Sequence, residues 1–114
     1  KMGKKVTVVD FDPMVVERLR ESGVDAVYGD LGDAEIYDEV GLDGAEMVIS
    51  TVPDVLNNLL LLRKSGGCKN RQIIVTASDD EAAKRLYAAG ADFVLVPHRV
   101  GGEYLAHLLK TGSV

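Results

Sequence analysis

The stretch "KKVTVVDFDP", Lys4–Pro13, decides how this chain is read. Val6, Val8 and Val9 make a short apolar run that stops at an acidic residue, Asp10, and Asp12-Pro13 follows as a helix start. An aspartate there can cap the first turn. A proline at the first helical position gives up an N–H that has no intrahelical partner anyway. Val15, Val16 and Leu19 then fall on one helix face, and Gly23 closes the segment. The unit is strand, then helix.

The same alternation runs outward to the end of the chain. "DAVYGD" (25–30) reads as a second strand, followed by a helical turn or two from Asp33 to Val40. "AEMVIST" (45–51) is a third strand, and "DVLNNLLLLRKSGG" (54–67) a helix closed by Gly66 and Gly67. "RQIIVTA" (71–77), "DDEAAKRLYAAG" (79–90), "ADFVLVP" (91–97) and "GGEYLAHLLK" (101–110) continue as strand, helix, strand and helix. Five strands alternating with five helices predict an α/β fold, a doubly wound parallel sheet covered on both faces. The strands are continuous apolar runs, as burial on two sides requires. Residues 1–114 form one domain, with no linker or repeat.

Bulk properties narrow the function. A formal net charge of −5 speaks against nucleic acid, because phosphate binding needs a cationic footprint. No apolar run approaches the roughly 20 residues that a membrane helix needs, so direct membrane insertion is not expected. The single Cys68 excludes an internal disulfide and fits a reducing compartment. His98 and His107 stand nine apart, which is no metal-ligand spacing on one helix, and no metal site is expected. No Ser/His/Asp or Cys/His arrangement supports nucleophilic catalysis, so the chain is not read as an enzyme.

In open parallel sheets, ligands bind beyond the carboxyl ends of the strands. Those ends carry Asp10, Gly29-Asp30-Leu31, Ser50-Thr51-Val52-Pro53, Thr76-Ala77-Ser78 and Pro97-His98. A carboxylate in such a place can accept two ribose hydroxyls and repel a 2′-phosphate. Asp10 also fits a plain strand-end cap, and Gly29-Asp30 a turn that caps the next helix. Tyr28 and Tyr87 read as packing residues, and Leu59 to Leu62 as core and interface.

The ordered set "KKVTVVDFDP", "VYGDLGD", "AEMVISTVPD", "NNLLLL" and "AAGADFVLVP" resembles the RCK domain, also called KTN or TrkA-N. That is the regulatory Rossmann domain of potassium channels and of potassium or cation:proton transporters. The resemblance covers nearly the whole chain. It implies NAD(H) or an adenine nucleotide as ligand of the intact domain, bound as a signal and not transformed. It gives Asp10 the adenosine-ribose role and Gly29, Asp30 and Leu31 the adenine end. Thr51 would face the second ribose or the phosphates, and Asn57 and Asn58 compete for an Asn position at the following helix start. Pro53 departs from the more acidic segment common in the family.

Family members open with a strand and a G-x-G-x-x-G loop, and neither is found here. "KMGKK" resembles the tail of the first helix and the turn after it, so the chain reads as an N-terminally truncated RCK domain. In the family's strand order 3-2-1-4-5-6 the absent strand lies between the second and the fourth. The gap could close by direct pairing of its neighbours, by exchange with another chain, or by residues outside this sequence. The resemblance further implies a homodimer or larger RCK assembly with a membrane transport subunit or domain, at the cytoplasmic face of the membrane. The last helix adds its own reason to associate, since Tyr104, Leu105, Leu108 and Leu109 make an apolar stripe.

A second resemblance is to response-regulator receiver domains, carried by "IIVTASDDEAAKRLYAAGADFVLVPH". Receivers need an aspartate at the end of the central strand and a Lys before the late proline. Here Ile49-Ser50-Thr51 and Val96 hold those positions. A dehydrogenase piece would need a catalytic base that is not in evidence.

Overall fold

The computed structural model describes residues 6–33, 35–36, 45–65 and 71–113. The expected turns up to Val40, the glycines Gly66 and Gly67, and Cys68 lie outside the described residues, apart from Glu35 and Ile36, which are helical.

Strand β1 is Val6–Asp10 and helix α1 Pro13–Glu21. Strands β2 and β3 are Asp25–Tyr28 and Met47–Ser50, and helix α2 is Val55–Ser65. Strand β4 is Gln72–Thr76, helix α3 Asp80–Ala88, strand β5 Phe93–Leu95 and helix α4 Pro97–Lys110. Local chemistry sets these bounds. The Asp12 carboxylate accepts the Met14 N–H at 2.9 Å, and the Asp79 carboxylate accepts the Ala82 N–H at 2.8 Å. Gly23 (φ +85°) and Gly90 (φ +110°) follow α1 and α3 in the left-handed region, where a side chain would be strained.

Helix α4 starts earlier than the sequence suggests, at Pro97 and not at Gly101. Proline again takes the first helical position, and Arg99 pairs with Asp80 at the start of α3. Helix then runs through Gly101 and Gly102 although each costs about 1 kcal/mol relative to Ala.

The sheet is parallel throughout, in the order β2-β1-β3-β4-β5. Strand β1 pairs directly with β3, Val8 opposite Ile49 and Val9 opposite Ser50. Of the three ways to close the sheet, the structure takes the first. The register makes the two faces. Val9, Val48, Ile73, Val75 and Val94 share a core with Leu31, with Leu61 and Leu62 of α2, and with Ala83 and Leu86 of α3. The other face buries Val8 and Ala26 against Val16 of α1, with Val6, Leu19, Val24 and Ile49 partly covered.

Candidate functional site

Chain order reverses between β1 and β3: β2 lies to one side, β4 and β5 to the other. In a doubly wound sheet the crevice for a ligand opens beyond the strand ends at that reversal. Asp10 and Thr51 stand there.

Asp10 is 6% exposed, and each of its carboxylate oxygens accepts one hydrogen bond. One oxygen accepts the Asp12 N–H at 2.7 Å, and the other accepts the Thr51 hydroxyl. Thr51 is fixed by the pairing itself, since its N–H donates to the Val9 carbonyl at 3.2 Å, and its Oγ1 lies 3.3 Å from the same oxygen. The next strand end is tied in by the Gly29 N–H, which donates to the Asp10 carbonyl at 3.2 Å.

Asp30 is exposed. One of its oxygens accepts the Gly32 N–H at 2.8 Å and lies 3.5 Å from the Asn57 carboxamide nitrogen. Gly29 gives Ile36 room, because a Cβ there would press on the Ile36 Cδ1 and force that side chain to shift. Leu31 is 1% exposed and belongs to the core, so it backs this corner and does not face the crevice.

The two asparagines divide. Asn57 is half-buried on the crevice side, its N–H capped by the Asp54 carboxylate at 3.1 Å and its amide toward Asp30. Asn58 is fully buried, with both amide hydrogens spent on the Val52 and Thr76 carbonyls at 2.7 and 2.9 Å. It ties the segment after β3 to the end of β4. Its Oδ1 has no hydrogen-bond partner.

Beside Asp10 lies a cavity of about 460 Å³ lined by Phe11, Tyr28, Gly29, Asp30, Asp33, Glu35 and Ile36. Phe11 and Tyr28 are each about half exposed at its wall. Neither Tyr28 nor Tyr87 is the buried packing residue expected: Tyr28 walls the cavity, and Tyr87 is 47% exposed, with its hydroxyl accepting the Val94 N–H at 3.1 Å. Sequence reasoning passed over Phe11, Asp33 and Glu35. The available signal was an aromatic residue set directly after a strand-end carboxylate, outside any helical or strand periodicity. Aromatic faces can stack a planar ring, and carboxylates accept hydroxyl and amine hydrogens while repelling phosphate. No group of three or more His, Cys, Asp or Glu side chains among the described residues could hold a metal ion.

The end of β3 is occupied by Ser50 and Thr51, which offer a hydroxyl and no carboxylate to a phosphoryl group. The 2-1-3-4-5 order is shared with flavodoxin-like sheets, so topology alone does not separate the two resemblances. Comparison with known proteins does. The model of the TrkA-N domain matches residues 1–97. The glutathione-regulated potassium-efflux system protein KefC of Enterobacter sp. (strain 638) is 32% identical over 113 residues, covering 98% of this chain and 17% of that protein. The chain thus spans about a sixth of the length of such relatives. Among solved structures, the NAD(P)-binding domain of an exopolyphosphatase-related protein from Archaeoglobus fulgidus superposes with a TM-score of 0.61 at 31% identity, covering 95% of this chain and 82% of that one. GsuK bound to ADP gives 0.68 at 25% identity, covering 95% and 34%.

Proposed function

The chain belongs to the TrkA-N domain family, and from that premise we propose that it is the nucleotide-sensing regulatory domain of a potassium or cation transport protein. The ligand of the intact domain is an adenine nucleotide or NAD(H), taken by its adenosine end and left chemically unchanged. The observation that carries the reading is the crevice beyond the ends of β1 and β2, lined by Phe11, Tyr28 and Asp30, with the buried Asp10 directly before Phe11 in its wall. Asp10 would accept ribose hydroxyls, the aromatic faces would stack the base, and Asn57 would orient Asp30. Gly29 admits Ile36 behind the pocket, and Leu31 supports it from the core. Asn58 acts on the pocket only through the backbone it ties.

The residues fit a nucleoside better than a dinucleotide. No G-x-G-x-x-G occurs in the 114 residues. At the start of α1, close to the crevice, the Asp12 carboxylate already takes the Met14 N–H and Asp10 takes that of Asp12, so these donors are not free for a phosphate. A phosphate would meet two carboxylates. Each charge-assisted bond it forgoes is worth roughly 1.5–3 kcal/mol, so affinity should fall by orders of magnitude. Titration by NMR is expected to show adenosine moving the resonances of Asp10, Phe11 and Asp30 weakly, and calorimetry to show no micromolar NAD binding. Tight NAD binding would sink the weak-affinity claim, and unmoved resonances the pocket.

The parent protein would hold this domain on the cytoplasmic side of the membrane, paired with a second copy and coupled to a transport subunit or domain. No helix among the described residues is long and apolar enough to cross a membrane. KefC is described as a potassium-efflux protein, which supports that placement.

A further inference from the structure

Asp30 in the crevice wall and Asp10 buried beside it are both held by groups of one segment, Thr51 to Asn58. Thr51 donates its hydroxyl to Asp10, and Asn57 turns its amide to Asp30. With Asp12 N–H on the other oxygen of Asp10, and the group 6% exposed, little of that carboxylate is left for an incoming hydroxyl. The same segment is bolted to the rest of the fold at its far end. The Val52 carbonyl accepts from Asn58, which also holds the Thr76 carbonyl, and the Asp54 carbonyl accepts the Asn58 N–H at 3.0 Å.

Resting on the nucleoside reading above, we propose that Thr51 is an internal cap on Asp10, a hydroxyl that stands in for the ligand's own. A ribose must displace it to bind, and its release loosens the Val52–Asn58 tie at the start of α2. Thr51 is then a positioning residue with two consequences. It sets the threshold for binding, because a ligand hydroxyl gains only the difference between two similar hydrogen bonds. It also converts occupancy into a change at α2, which lines a groove of about 500 Å³ with Leu56, Leu60 and Arg63. A ligand can shift such a two-state element only by its differential affinity for the two states, and displacement of the cap supplies that difference.

The test uses the full 114-residue chain with adenosine as probe, in three forms: wild type, Thr51→Val and Thr51→Ser. Valine keeps the shape and removes the donor; serine keeps the donor. We expect Thr51→Val to bind adenosine about tenfold tighter, the equivalent of roughly 1.4 kcal/mol, and Thr51→Ser to match wild type. Hydrogen exchange supplies the second readout. Saturating adenosine should speed exchange of the Asn57 and Asn58 amides in the wild type. In Thr51→Val those amides should already exchange fast and respond little to ligand. Equal or weaker binding by Thr51→Val, while wild type binds, overturns the cap and leaves the nucleoside reading standing. Failure of all three folded proteins to bind adenosine overturns that reading and the cap with it. Tighter binding with exchange in α2 unmoved removes the coupling to α2.

Discussion

The two faces of the sheet are packed very differently. On the side of α2 and α3, Val9, Val48, Ile73, Val75 and Val94 form a row across four strands, closed by Leu61, Leu62, Ala83 and Leu86. On the other side the described core is Val8, Val16 and Ala26, and Ile49 and Ile74 stay half covered. Helix α4 contributes no buried residue to either. Direct pairing of β1 with β3 explains the contrast in part. It keeps the first row continuous across the reversal point, because Thr7 meets Val48 and Val9 meets Ser50. Stability is concentrated on one face. The engaged carboxylate Asp10 follows the strand alternation of Val8, and so sits with the thinner face, where change costs less.

The largest expected effects break this contrast most directly. Leu86→Ala, at a side chain with no exposed surface, should lower unfolding free energy by about 2–5 kcal/mol. Val16→Ala on the opposite face should cost only about 1–2 kcal/mol, two methyl groups' worth of burial. Urea unfolding of both variants measures the pair, and equal losses would mean that the faces are equally important. Asn58→Ala comes next, at about 1–3 kcal/mol, because it leaves the Val52 and Thr76 carbonyls without their donor in a buried site. A loss below half a kcal/mol, with unfolding still cooperative, would show that water replaces the amide.

Gly29→Ala sharpens the comparison at the pocket. The new methyl meets the flexible end of Ile36, so the expected cost is about 1 kcal/mol, at the low end of overpacking penalties. The same shift of Ile36 should disturb the cavity wall, and a thermal melt with an adenosine titration would read both. A variant as stable as wild type would show that Ile36 leaves without strain.

Much of this fold was legible because burial on both faces writes itself into short apolar runs, and caps write themselves into Asp-Pro and Asp-Asp. Asp12, Asp79, Gly23 and Gly90 stand where local rules put them. Helix α4 was misjudged at its start because Gly101-Gly102 is a strong local breaker, and only the proline start at 97 and the Arg99–Asp80 pair outside the local window outweigh it. Site placement was harder for the same reason. Asn57 and Asn58 are identical as residue types, and which one turns inward depends on the phase of α2 against β4. Tyr28 reads as core by type, yet a strand end leaves its ring half exposed beside Phe11. The pairing of Thr51 with Asp10 follows from the β1–β3 register, which no single segment encodes.

The smallest effect on stability is expected at α4, and it would be the most informative about assembly. Val100, Tyr104, Leu105 and Leu109 are all about half exposed or more, and Leu108 is half-buried. Residues four apart on a helix stack on one face, so Val100, Tyr104 and Leu108 form one row and Leu105 and Leu109 the adjoining one. Side chains already in water contribute little to folding, and their loss should move the unfolding free energy by no more than about 0.5 kcal/mol. An apolar stripe of that kind on a surface is commonly an interaction site. We therefore predict that the wild-type chain sediments as a dimer or larger species at micromolar concentration. Leu105→Ser together with Leu108→Ser should shift it to the monomer of 12.2 kDa while leaving the urea midpoint in place. A wild-type chain that is already monomeric would remove α4 as a self-association surface. A double variant that loses stability as well as partners would show that the stripe packs within its own subunit, and that the thinner face carries more of the fold than its buried residues suggest.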